Sequence, residues 1–243
     1  MSSIFFLLFA LILPATRARA GEILAAAAAG LAPLKDDLAS QFQSVSAHRV
    51  RFVFGASGLL ARQIANGARY DVYLSANEPY VAQLLEAGHL LRETVRVYAL
   101  GRLGLWAPGG GVRSLEDLTS PAVRRVAIAN PAHAPYGLAA RQALERQGLW
   151  ERLKAKIVLG EDGRQVFRYA ESRDVDAALT AWTFVAHRGA RLVPMRRHDA
   201  IRLTGAVLSR SPHRQAAEEF LEFLTGDEGR QVLKRYGLFP PED

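Results

Sequence analysis

Apolar residues in this chain come in short, nearly continuous runs separated by stretches at helical spacing. Residues 22–28 are apolar after the first position, and the run ends at Gly30. Leu31, Leu34, Leu38 and Phe42 then recur every three or four positions, the period of one helix face. A second run, 50–54, is closed by Gly55-Ala56-Ser57-Gly58, and Leu60, Ala61 and Ile64 begin a helix that stops at Asn66-Gly67. A third run, 71–74, passes through Ser75-Ala76-Asn77-Glu78-Pro79 into a helix over 80–86. Serine or asparagine suits the cap of that helix, and proline suits its first turn. The alternation resumes with strand 125–129, helix 137–147, strand 156–159, helix 165–170 and strand 177–180, and helices over 216–224 and 228–236 close the chain. Strands alternating with helices at this pace predict an α/β fold of mostly parallel sheets with right-handed crossovers.

Residues 95–106 break the rhythm. They form one long extended stretch with Gly101 and Gly104 inside it, where a bend is permitted. They read as a passage from one lobe to another, and 201–208 as the passage back. A short helix at 114–118 has a start resembling a capping box. The chain shows no internal repeat.

The chemistry concentrates in the joints. In 128–144, Ile-Ala-Asn-Pro-Ala-His-Ala-Pro-Tyr-Gly-Leu and onward, a buried strand runs through a proline loop into a helix N-terminus. Such a joint leaves first-turn N–H groups without helical partners, and with the helix dipole they can hold an anion without any lysine or arginine. A plain strand-to-helix connection would look the same at one joint. Similar joints recur near Gly30, Ser57 and Gly163.

Residues 4–13 are an uncharged apolar run of ten, too short to span a bilayer, and Ala18-Arg19-Ala20 fits a small-x-small cleavage pattern. Residues 1–20 are therefore read as a cleaved secretory signal, although Met1-Ser2-Ser3 lacks the usual basic residue. The chain carries +7, and removing Arg17 and Arg19 leaves +5 on the expected mature protein. Lysine and arginine are scattered rather than gathered in a stripe, which gives nucleic-acid binding little support. There are no cysteines, so disulfides, thiolate metal sites and a lipid-modified N-terminal cysteine are excluded. The six histidines show no i, i+4 pairing, so no cation site is expected. Ser57 has no evident base partner, so nucleophilic catalysis is unsupported and the protein is not read as an enzyme.

The stretches 54–64, 71–78, 98–106, 128–138 and 158–165, with the tail 236–238, resemble in order the molybdate-binding periplasmic proteins of ABC importers. The resemblance covers nearly the whole expected mature chain. It implies two α/β lobes joined by two crossovers with a ligand cleft between them, lobe one over 21–100 plus 203–243 and lobe two over 101–202. It also implies a monomer in the periplasm that binds molybdate or tungstate, delivers it to an inner-membrane ABC permease and needs no cofactor. The open alternatives are another oxyanion such as sulfate or phosphate, a small carboxylate, or an enzyme acting on an anionic substrate.

Carried over residue by residue, the resemblance names Gly30, Ser57, Tyr136, Gly163 and Ala181 as ligand positions. Ser57 matches a ligand-contacting serine and offers both its hydroxyl and its N–H. Tyr136 and Gly163 would use main-chain N–H groups, and the Tyr136 ring is a candidate cover for the cleft. At Gly30 the family usually has a hydroxyl or amide side chain. At Ala181 one branch has a tyrosine. The absence of both side chains here leaves the selectivity among oxyanions open, through a larger cavity or an admitted water. Ser75 and Asp162 read better as helix caps than as ligand groups, and Arg164 is not expected to touch an anion.

Overall fold

A computed structural model describes residues 21–241. The expected secretory signal over 1–20 lies outside them. One sheet contains β1 (Glu22–Ala28), β2 (Arg49–Gly55), β3 (Val72–Ser75), β4 (Arg96–Gly101) and β10 (Ile201–Val207), in the order β2-β1-β3-β10-β4. The other contains β5 (Leu103–Trp106), β6 (Val126–Ala129), β7 (Ile157–Gly160), β8 (Ala177–Ala181) and β9 (Arg191–Leu192), in the order β7-β6-β8-β5-β9. Only Arg102 separates β4 from β5. The stretch 201–208, expected to cross back, instead pairs within the first sheet as β10, and the return runs through 193–200.

Four of the five strands in each sheet run the same way, and only β10 and β5 are reversed. The reason is geometric. The other strands run toward the cleft, so a chain arriving from the opposite lobe enters its new sheet at the cleft side. Its first strand there must run away from the cleft. Both β5 and β10 are such first strands.

The central strands read as apolar runs because both their faces are covered. All residues of β3, β5, β6 and β8 are buried. The helices packed on them are α1 (Lys35–Val45), α2 (Ser57–Ala65), α3 (Glu78–Glu86), α4 (Pro135–Arg146), α5 (Trp150–Leu153), α6 (Gly163–Glu171), α7 (Trp182–Val185), α8 (Arg214–Thr225) and α9 (Asp227–Arg235). The helix expected from Leu31 onward is split. Ala29–Leu34 is a 3-10 turn containing Pro33, and the α-helix begins only at Lys35. Proline has no N–H to continue the ladder, which favours a break there. Phe42 of α1 meets Phe220 of α8 edge-on at 5.0 Å between ring centres, tying the closing helices to the first lobe. Among the described residues, no helix is long and apolar enough to cross a membrane.

Candidate functional site

Parallel strands place their C-terminal ends, and the loops that follow, on one side of a sheet. Here the two sheets turn those sides toward each other. The ends of β1 and β2 from one lobe, and of β6 and β7 from the other, lead into helical N-termini, directly after β1 and through a loop of five residues after β6. Gly30, Ser57, Tyr136 and Gly163 line a single cavity between them. Ala181 is not among the lining residues and lies fully buried behind Gly30.

Ser57 and Gly163 are the first residues of α2 and α6, Tyr136 is the second of α4, and Gly30 is the second of the 3-10 turn. Helical N–H groups at these positions have no partner one turn back. None of the four finds another backbone or side-chain acceptor among the described residues. The first turn of α4 reaches the cavity because Gly137 lies against the end of β6. A Cβ on Gly137 would overlap the Ala129 carbonyl oxygen.

The side chains sort by what they already hold. Ser57 does not cap its helix, since the cap position is Ala56. Its Oγ accepts from the Ala76 N–H at 3.1 Å, which leaves the hydroxyl proton free to donate. The Tyr73 hydroxyl donates to the Ser57 carbonyl at 2.8 Å and fixes the residue from below. Ser75, by contrast, spends its hydroxyl on its own loop, donating to the Asn77 carbonyl at 2.8 Å and accepting from the Asn77 N–H at 3.0 Å. The Asp162 carboxylate caps α6, accepting from the N–H groups of Arg164 and Gln165. Its other oxygen takes the Arg164 guanidinium at 2.7 Å. Arg164 also donates to the Phe54 carbonyl at 2.8 Å. The one acid and the one base nearest the cavity therefore neutralise each other. Burial pushes the Tyr136 phenol well above its usual range, so it brings no charge either.

The Arg164–Phe54 bond joins the lobes, and three more do the same. The Gly58 N–H donates to the His133 carbonyl at 2.9 Å, the Tyr80 hydroxyl to the Ala132 carbonyl at 3.3 Å and the Thr183 hydroxyl to the Gly30 carbonyl at 2.7 Å. Sequence reasoning missed Thr183. Its partner is 153 residues away, and nothing local announces the pair. The lobes close on a cavity of about 10 Å³, enough for roughly one water. With the small residues at 30 and 181 in place, the cavity has room for about one water and no more. Among the described residues, no cluster of three or more histidines and acids could hold a metal ion.

The family model described as bacterial extracellular solute-binding protein matches residues 23–239. The chain belongs to this family. As a solute-binding protein it is 32% identical over 232 residues to the molybdate-binding protein ModA of Azotobacter vinelandii, covering 92% of each chain. It is 30% identical over 235 residues to ModA of Rhodobacter capsulatus, covering 95% of this chain and 92% of the relative. The solved periplasmic molybdate-binding protein of Azotobacter vinelandii superposes with a TM-score of 0.86 at 28% identity, over 90% of this solute-binding protein and 100% of that chain. The sulfate-binding protein SubI of Mycobacterium tuberculosis shares the fold, with a TM-score of 0.74 at 18% identity.

Proposed function

We propose that this solute-binding protein captures molybdate, and tungstate with it, in the periplasm and hands it to an ABC importer. The observation that carries the reading is the cavity itself. Unpartnered N–H groups from four helical N-termini, two in each lobe, line it together with one free hydroxyl, and no uncompensated charge is present. A dianion entering such a site exchanges its water shell for fixed donors. No fixed countercharge opposes its later release to a transporter.

The same chemistry argues against the rivals. A bound hydrogen phosphate asks for an acceptor for its remaining proton. The only carboxylate at the cavity, Asp162, already takes two N–H groups and the Arg164 guanidinium. Hydrolytic chemistry at Ser57 would need a base on its hydroxyl, and the hydroxyl's only hydrogen-bond partner among the described residues is the Ala76 N–H, a donor. The relatives from Azotobacter vinelandii and Rhodobacter capsulatus are named for molybdate, which supports the choice among oxyanions.

Selection between sulfate and molybdate, both tetrahedral dianions, then rests on size. Donors fixed on helix ends cannot follow a smaller anion inward, and a lengthened hydrogen bond weakens. Calorimetry of the purified protein, after treatment with a chelator, tests the reading. One molybdate binds per chain without any added cation, tungstate competes nearly equally, and sulfate binds more than about tenfold more weakly. Sulfate binding as tightly as molybdate would move the protein to the sulfate reading. Binding that appears only on adding zinc or calcium would end the metal-free account.

A further inference from the structure

We propose that the Tyr136 side chain is the size gauge of the anion cavity, occupying the room that a side chain at position 30 would otherwise fill. The inference rests on the oxyanion reading above and concerns the ring rather than the N–H of this residue.

A Cβ built on Gly30 would stand 3.1 Å from Tyr136 Cε2 and 3.5 Å from Cζ. On its other flank it would stand 3.3 Å from the Ala181 Cβ. The position is thus closed from two sides, by a ring and by a methyl group. The ring cannot retreat along its own axis, because its hydroxyl end lies directly against Gly101, where a Cβ would overlap it. Gly101 is the last residue of β4, one step before the chain crosses between lobes at Arg102. The ring therefore extends from the cavity wall to the crossing, and it is 5% exposed. Glycine at 30, glycine at 101 and alanine at 181 form one packing unit with this tyrosine. A side-chain donor at position 30 would have to displace this ring. The small cavity follows from the same packing.

Four proteins decide the matter by calorimetry with molybdate and with sulfate: the parent, Gly30→Ser, Tyr136→Ala and the double variant. With Tyr136 present, Gly30→Ser overpacks the wall and weakens molybdate binding about tenfold or more. With the ring removed, the same change costs less than about threefold, because the serine now has room. Tyr136→Ala also narrows the molybdate-to-sulfate ratio, which a ring of merely structural importance would leave unchanged. Tyr136→Leu replaces Tyr136→Ala if the latter does not fold. Equal losses for Gly30→Ser in both backgrounds, or an unchanged ratio, overturn the proposal. If the parent binds no oxyanion at all, the functional reading falls, and thermal unfolding then tests the packing unit alone. Gly30→Ser then lowers the midpoint only in the Tyr136 background, and equal lowering in both overturns the proposal.

Discussion

Ser57→Ala separates two roles of one hydroxyl. The Ser57 Oγ is the acceptor for the Ala76 N–H at 3.1 Å, and Ala76 is buried. Removing it orphans that N–H, at a cost of about 1–3 kcal/mol of stability. In the liganded protein the hydroxyl proton is free for the anion. A hydrogen bond to a charged group contributes about 1.5–3 kcal/mol, which is on the order of 10–100-fold in affinity. Calorimetry with molybdate reads the second effect, and thermal unfolding without ligand reads the first. Ser75→Ala is the matched control, since that hydroxyl serves only Asn77. It lowers stability and leaves affinity in place. If Ser57→Ala loses stability but binds molybdate within about twofold of the parent, the hydroxyl is only a loop tie and its place in the site is refuted.

Molybdate entry requires the four interlobe hydrogen bonds to part, because the closed cavity holds roughly one water. Small-angle scattering should therefore detect an open population of larger radius of gyration in the molybdate-free protein, which saturating molybdate removes, and identical profiles would argue for a rigid site. Gly137→Ala drives a Cβ into the Ala129 carbonyl oxygen and should cost about 1–3 kcal/mol by urea unfolding. A neutral result would mean that α4 can shift freely. His198 is buried, and desolvation lowers its pKa below 6.5, so the native state favours the neutral ring. Its contribution is present above pH 6.5 and is lost as pH falls below that value, because the unfolded chain binds the proton more readily. The unfolding midpoint should thus drop more between pH 7 and 5.5 in the parent than in His198→Gln, and parallel curves would exclude His198 as the source.

The strands of both lobes were legible because a strand covered on both faces leaves a continuous apolar run, as in 22–28 and 126–129. Short elements such as α7 and β9 leave too few residues for any period to show. Ser57 stood out through family resemblance rather than through pattern. Ser57 and Ser75 each sit where a strand gives way to a helix, and no local property tells them apart. What divides them is tertiary: one hydroxyl reaches a different loop, and the other turns back on its own. The surroundings of Gly30 were hidden for the same reason. A missing side chain reads as empty space until the ring of a residue more than a hundred positions from Gly30 is found beside it. The Arg164 bond to Phe54 across the cleft could not be read from the chain.

A pocket lined by main-chain N–H groups ages differently from one made of side chains. Every amino acid except proline supplies the same donor, so the presence of a donor at a position does not depend on which side chain stands there. Mutational fragility extends to places that never face the ligand. Gly137 is one, because any Cβ there would lift the first turn of α4 off β6. Lineages of such proteins can drift far in sequence while keeping their cargo. A search for the determinants of that cargo should look for residues that let backbones approach, before it looks for residues with something to donate.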